Sequence, residues 1–280
     1  MERFVDLHVH TNYSDGSLSP EEVVARAKQC GLAAIGIADH DEVAGITEAI
    51  WRGHPHGIEI VPAVEITSGC DGKEIHLLGY LINHNHRDLR ERLKHFRYDR
   101  FKRMERMIKK LRGLGFNIYM ESVRRIAGRG SLGRLHLARA LYQEGMVSNV
   151  QQAFDLYIGR GKPAYQDKPR VEAGEAFALI KDAGGIPVLA HPKLVHVDKT
   201  IPELVRLGLQ GIEVFYSKHT PDDVRRYLAI AAEHNLLVTG GSDCHGLIKD
   251  SMLLGTVRVP YHYLASLREH VRPTTQSRFS

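Results

Sequence analysis

The sequence predicts an α/β protein: a (β/α) barrel with a largely parallel sheet, interrupted by a helical insertion. Three observations predict it. Short apolar runs alternate with helical patterns, as βα units require. Acidic residues and histidines fall at or near the ends of successive runs, the face on which barrel enzymes build their sites. The alternation stops between about residues 83 and 170, where the periodicity is helical throughout.

The candidate strands are residues 4–9, 33–38, 58–65, 74–80, 186–190, 211–215, 236–240 and 255–259. Seven or eight such strands fit a barrel better than an open sheet, the alternative that spacing leaves. Ser19-Pro20-Glu21-Glu22 starts the first helix, with a serine cap, a proline at the first helical position and acids in the first turn. Thr220-Pro221-Asp222-Asp223 repeats the device. Gly31 and Gly184 follow helical runs, where a left-handed cap belongs. In the insertion, residues 88–111 carry Leu89, Leu93, Phe96, Met104, Met107, Ile108 and Leu111 at helical spacing. Helices over 132–144 and 150–157 follow, jointed at Gly128-Arg129-Gly130 and Gly159-Arg160-Gly161. The expected division is a discontinuous barrel, residues 1–82 plus 171–272, and an insertion or cap, residues 83–170. Residues 273–280 are polar and expected to fray.

Composition narrows the class. The chain has 280 residues, 43% of them hydrophobic and 25% charged, ordinary for a folded protein with a sizeable core. The 38 Lys and Arg exceed the 33 Asp and Glu by five, which permits an anionic substrate without requiring one. No apolar stretch reaches the length of a membrane span, and the first residues lack the apolar core of a signal peptide. Three dispersed cysteines argue against a disulfide framework, and a reducing cytoplasm is the expected location. The unusual count is 17 histidines.

Their placement carries the chemistry. His8-Val9-His10 follows the first strand, and residues two apart in an extended segment share a face, so both imidazoles can address one metal. Such triplets are commonly accidental, and Asp15, in Asn12-Tyr13-Ser14-Asp15-Gly16, taken alone is more commonly a turn residue. The pattern then repeats. His40 ends the second strand, Glu65 the third, His76 lies in the fourth, His191 ends the 186–190 run, and Asp243 and His245 end the 236–240 run. Buried carboxylates and imidazoles are costly unless paired or bound to metal, so their accumulation at one end predicts a metal cluster. Nine ligand-type residues (His8, His10, Asp15, His40, Glu65, His76, His191, Asp243 and His245) suffice for two or three divalent ions, with a carboxylate such as Glu65 bridging. The imidazole and carboxylate set favours Mn, Zn or Fe over a thiolate cluster. Cys244 is read as a small buried residue facing away, and Asp6, Asp39 and Asp41 as carboxylates that would orient the imidazoles.

These residues, as an ordered set, resemble the PHP (polymerase and histidinol phosphatase) family: His8-Val9-His10-Thr11 to Ser14-Asp15-Gly16, Ala38-Asp39-His40-Asp41, Glu65, His76, Ala190-His191-Pro192 and Gly241-Ser242-Asp243-Cys244-His245. The resemblance implies a distorted (β/α)7 TIM-like barrel and phosphoesterase activity. It implies one metal on His8, His10, Glu65 and Asp243, a second on Glu65, His76 and His191, and a third on Asp15, His40 and His245. His8, His10, Glu65, Asp243 and His191 would be the catalytic core. Gly133-Arg134-Leu135-His136 and the 157–165 segment resemble the branch with a helical insertion, which includes nucleoside 3′,5′-bisphosphate phosphatases and bacterial 5′→3′ exoribonucleases. By that resemblance Arg134, His136 and Lys162 would contact substrate phosphate, with Arg129 and Arg139 as weaker candidates.

Bound metal would lower the pKa of a bridging water from 15.7 toward about 7, and the resulting hydroxide would attack phosphorus in line. His219 or an unassigned group beside the ligands would protonate the leaving oxygen, and the sequence selects neither. Residues 87–112 hold twelve Lys and Arg against four Asp and Glu; the run reads as the solvated face of an amphipathic helix, with an RNA track as the alternative. The expected partner is a nucleotide or short RNA, with no membrane and no obligate protein partner. The alternatives are an amidohydrolase, a histidinol-phosphate-type phosphatase and a non-catalytic metal-binding module.

Overall fold

The computed structural model describes residues 2–128, 130–167, 171–246 and 252–271. Arg129, the expected boundary at 168–170 and the expected frayed tail at 273–280 lie outside them. The sheet begins with β1 (Phe4–Val9), β2 (Ala34–Ile37), β3 (Glu59–Cys70) and β4 (Lys73–Tyr80). It continues with β5 (Val171–Glu172), β6 (Ile186–Leu189), β7 (Gly211–Tyr216), β8 (Leu237–Gly241) and β9 (Val259–Pro260). The order is β8-β7-β6-β4-β3-β2-β1-β9, with β5 beside β3. Apolar β-branched runs form these strands because both faces are buried.

The sheet nearly closes. Past β8, Asp243 N–H bonds to His8 O (2.9 Å) and His10 N–H to Cys244 O (2.9 Å). Gly241 permits this approach, since a Cβ there would collide with His8. The ligand-bearing end of β1 is thus welded to the ligand-bearing loop after β8.

One strand breaks the expected alternation. β3 runs on to Cys70 and turns through Asp71-Gly72, both at positive φ (51° and 71°), into β4. Asp-Gly at two positive-φ positions is the signature of a tight hairpin. β4 is therefore antiparallel to β3 and to β6. The expectation that Glu65 ends its strand is corrected: it lies inside β3, opposite Leu78. His76 reaches the same end of the barrel from an oppositely directed strand, which is the distortion.

The helices follow their start signals. α1 (Pro20–Gln29) has the full capping box of Ser19 and Glu22, and Gly31 follows at φ 68°. α2 (Ala44–Gly53) lies between β2 and β3. The segment between β4 and β5 holds α3 (Arg87–Gly113), α4 (Met120–Ala127), α5 (Arg134–Gln143) and α6 (Val150–Ala153), which runs into a π-turn, Phe154–Ile158. The reading by periodicity missed α4, whose first residue lacks a side-chain cap. These helices bury their own cluster, with Met104, Met107, Leu111, Val123, Leu137 and Leu141 at its centre. α7 (Ala173–Asp182), α8 (Pro192–Val195), α9 (Ile201–Leu207), α10 (Pro221–Glu233) and α11 (Tyr261–His270) complete the chain. α10 repeats the capping box with Thr220 and Asp223. No helix among the described residues is long and apolar enough to cross a membrane.

The insertion is seated on the barrel mouth by backbone. Ser131 N–H bonds to Tyr13 O (3.2 Å), and a side chain at Gly130 would collide with Ser14 O. The 128–133 corner therefore lies against the loop that carries Asp15.

Candidate metal centre

The nine predicted side chains converge at one end of the barrel. His8 and His10 sit on one face of β1 and its continuation, and their Nε2 atoms face each other at 3.1 Å. Glu65 Oε2 lies 3.4 Å from His8 Nε2 and 3.2 Å from His10 Nε2. Asp243 Oδ1 lies 3.6 and 3.1 Å from the same two nitrogens. A tetrahedral ion with bonds of about 2.0 Å places its ligand atoms about 3.3 Å apart, so these separations fit a shared cation. The other oxygen of Glu65, Oε1, is 2.7 Å from His76 Nδ1 and 3.1 Å from His191 Nε2. On the far side, Asp15 Oδ1 is 3.3 Å from His245 Nε2, and ligand atoms of His10, Asp15, His40 and His245 lie within 4.8 Å of one another. His40 Nδ1 also comes within 3.1 Å of Glu65 Oε2. Glu65 thus stands at the junction of the groups, the position a bridging carboxylate needs.

The charge balance points the same way. Burial lowers the pKa of His8, but Glu213, Glu65 and Asp243 outweigh it and raise His8 well above the ordinary value. The same opposition of burial against Asp243 and Glu65 pushes His10 up to about 10. Burial raises Glu65, Asp15 and Asp243, yet the surrounding imidazoles hold all three well below the usual carboxylate range. His40 moves the other way, pushed well down by burial. Asp15 Oδ1, His40 Nδ1 and Glu65 Oε2, which face the centre, are buried without a hydrogen-bond partner among the described residues. An unmade buried hydrogen bond costs about 1–3 kcal/mol. An ionised carboxylate group with unsatisfied lone pairs is what a divalent ion repairs, so the residues fit the metals that sequence implies.

The residue that orients the imidazoles was missed. Glu213, fully buried in β7, receives His8 Nδ1 at 3.0 Å on Oε1 and the His191 backbone N–H at 2.8 Å on Oε2. One carboxylate thus ties His8 in β1 to His191 in the turn after β6. The available signal was an acid in the middle of the apolar run Gly211-Ile212-Glu213-Val214-Phe215. The assignment of that role to Asp6, Asp39 and Asp41 is corrected, because each braces something else. Asp6 accepts the N–H of Ser242 (2.8 Å), beside Asp243. Asp39 accepts Thr11 N–H (2.8 Å), Thr11 Oγ1–H (2.6 Å) and Ser14 Oγ–H (2.5 Å), pinning the loop that presents Asp15. Asp41 takes Arg100 Nε–H at 2.5 Å. Tyr216 donates its hydroxyl to Asp243 Oδ2 (3.1 Å). Two ligands also sit on backbone that only a rigid surround maintains, His191 at φ 28° and Asp243 at φ 55°. Cys244 is buried and faces Met252, away from the cluster, as alternation predicted.

The insertion carries further cations. Arg103 is buried and donates Nε–H to Gln166 O (2.8 Å); burial and the nearby Arg134 and Arg100 push its pKa down to about 10. Arg134 and Arg103 flank the ring of Tyr165 at 5.6 and 6.0 Å. Sequence reading named Arg134 but treated Arg103 as one charge in a basic run. His136 is buried, with Nδ1 accepting the Gly133 N–H (3.1 Å). Lys162 stands on an exposed turn. The rest of the α3 run behaves as an amphipathic helix, with Arg92 on Glu175, Lys94 on Glu91, Arg97 on Glu42 and Lys102 on Glu105. His219 bonds to Val214 O (2.8 Å) and packs on Tyr216 and Tyr227. It adjoins the cluster through Tyr216.

Comparison with known proteins agrees with this geometry. Residues 6–163 match the family model described as the PHP domain. A 5′-3′ exoribonuclease of Haemophilus influenzae is 34% identical over 250 residues, 88% of this chain and 91% of that protein. A 3′,5′-nucleoside bisphosphate phosphatase of Chromobacterium violaceum is 32% identical over 247 residues, 86% of this chain and 87% of that protein. The crystal structure of a protein from Bifidobacterium adolescentis, described as a metal-dependent phosphoesterase, superposes with a TM-score of 0.87 at 31% identity. It covers 95% of both chains. With the barrel, the nine converging ligand-type residues and these similarities together, the chain belongs to the PHP family and is a metal-dependent phosphoesterase.

Proposed function

We propose that the protein releases a 5′-nucleotide by hydrolysing the phosphoester at its 3′ oxygen. The two activities named for its relatives share that bond. A nucleoside 3′,5′-bisphosphate loses its 3′-phosphate by P–O3′ cleavage, and a 5′-phosphorylated RNA loses its first nucleotide the same way. Water adds to phosphorus, the P–O3′ bond breaks, and a proton ends on the 3′ oxygen. The observation that carries the reading is the junction at Glu65, where both carboxylate oxygens meet imidazoles.

His8, His10, Glu65 and Asp243 would hold one divalent ion, Glu65, His76 and His191 a second, and Asp15, His40 and His245 a third, drawn from Mn, Zn or Fe. Such ions supply an activated water and offset charge on the phosphoryl oxygens. The protein's own part is positional. Glu213 fixes His8 and His191, Asp39 fixes the Asp15 loop, and Tyr216 fixes Asp243. Arg103 and Arg134 give a planar fork to phosphate oxygens. His136 and Lys162 are the further phosphate contacts in this reading. Residues 1–82 and 171–272 form the barrel that carries the ligands, and residues 83–170 form the cap that limits access to them.

The test offers Mn²⁺-loaded protein both adenosine 3′,5′-bisphosphate and a short 5′-phosphorylated RNA, with products resolved over time. The reading expects adenosine monophosphate from the first or stepwise 5′-mononucleotides from the second. Turnover of neither, with elemental analysis confirming bound metal, overturns it.

A further inference from the structure

A second group of ligand-type side chains lies apart from the nine. Cys70 ends β3, Asp71 opens the turn into β4, and Glu203 stands in α9. The Cys70 sulfur and one carboxylate oxygen from each acid lie within 4.8 Å of one another. Cys70 is five residues beyond Glu65 on the same strand, roughly 17 Å at the usual rise, so this group is separate from the centre at the barrel mouth.

Neither carboxylate is matched by a positive charge. Asp71 and Glu203 form no ion pair among the described residues. Lys73, opposite Cys70 in the hairpin, donates instead to His196 O (3.2 Å). The thiol is a second and independent sign. A buried cysteine ordinarily behaves as a small apolar group. Cys70 is 5% exposed and free, its sulfur makes no hydrogen bond among the described residues, and it is aimed at two acids. Burial, and then the charges of Asp71, Glu203 and Glu172, push the thiol up to about 11. Negative surroundings that hold a thiol protonated favour a cation in the proton's place, since coordination deprotonates a thiol outright.

We propose that Cys70, Asp71 and Glu203 bind one thiophilic divalent cation of the zinc and cadmium class. The S–H bond breaks, its proton passes to solvent, and the sulfur lone pair binds the cation beside one oxygen from each acid. Zinc takes sulfur at about 2.3 Å and carboxylate oxygen at about 2.0–2.2 Å, usually with four ligands. Glu203 is half-buried and Asp71 exposed, so both side chains can turn to those lengths, and water completes the set. The bond would tie α9 to the hairpin whose strands carry Glu65 and His76.

Titration of Mn²⁺-loaded protein with Cd²⁺, read by the ultraviolet sulfur-to-cadmium charge-transfer band, tests it. The nine-residue centre contains no sulfur, so cadmium entering that centre adds nothing to the band. The band is expected to saturate at about one cation per chain, with about one proton released. Cys70→Ser should abolish it, and Cys30→Ser should leave it unchanged. Asp71→Asn and Glu203→Gln should each weaken binding about 10-fold or more, at least the cost of losing a partner that only supports a ligand. These two positions are exposed or half-buried, and melting curves matching the parent protein confirm that the variants fold. Absence of the band in the parent protein overturns the proposal, as does a band that survives Cys70→Ser. A midpoint unmoved in the Asp71→Asn/Glu203→Gln double variant overturns it too, because the thiol would then bind alone.

Discussion

At the barrel mouth, the converging side chains come from the strands (His8, Glu65 and His76) and from the loops that follow them. In the insertion, Arg103, Arg134, His136 and Arg139 stand on two helices that pack on a core of their own. The strand-borne set is dense, mutually charged and braced by buried carboxylates at 2.5–3.0 Å. The helix-borne set is sparser: Arg134 and Arg139 have no ion-pair partner among the described residues. In the proposed reading, chemistry belongs to the rigid sheet, and substrate choice to an element that can vary without disturbing it.

Substitutions in the two regions should therefore fail differently. The largest effect belongs to Glu65→Gln, which weakens the junction of the ligand groups. Metal per chain should fall by elemental analysis, and kcat by roughly 10²–10³-fold or more. Full metal content with full activity would remove Glu65 from the centre. Glu213→Gln comes next. It keeps the shape of the side chain but weakens its hold on His8 and His191, and metal affinity or activity should drop about 10–100-fold. An unchanged affinity would make Glu213 a passive core residue.

Across the boundary the signature changes. Arg103→Met and Arg134→Met should each lower kcat/KM about 10-fold or more while metal content stays at the parent level. Loss of metal in either variant would collapse the distinction between the two regions. Leu141→Ala, in the insertion's own core, should cost about 2–5 kcal/mol of stability by denaturant unfolding, again with metal retained by the folded fraction. The smallest effect is expected at the exposed α3 residues Arg106 and Lys109. Neutralising both should leave turnover of RNA and of bisphosphate within about twofold. A selective loss on RNA would instead make this face a polymer track.

The same contrast explains what could be read from the chain alone. The convergence of the nine side chains was legible because a carboxylate or imidazole at the end of an apolar run has few other uses, and the run itself marks the strand. Glu213 escaped because a single acid inside a strand carries no spacing. The reversal of β4 was legible in Asp71-Gly72 but hidden by the assumption of uniform βα units. The burial of Arg103 was not legible, since one arginine among twelve basic residues looks like any other until the helix is rotated onto its neighbours. Helix α4 lacked a cap to announce it. Long-range partnerships such as His8 with Glu213, 205 residues apart, exist only once the barrel closes.

The most direct test of the centre is anomalous diffraction from crystals of the protein grown with Mn²⁺. Two or three peaks within bonding distance of the nine side chains, with Glu65 shared between two of them, is the predicted result. A map with no peak at Glu65, or with metal held only at sites away from β1 and β8, would contradict the account.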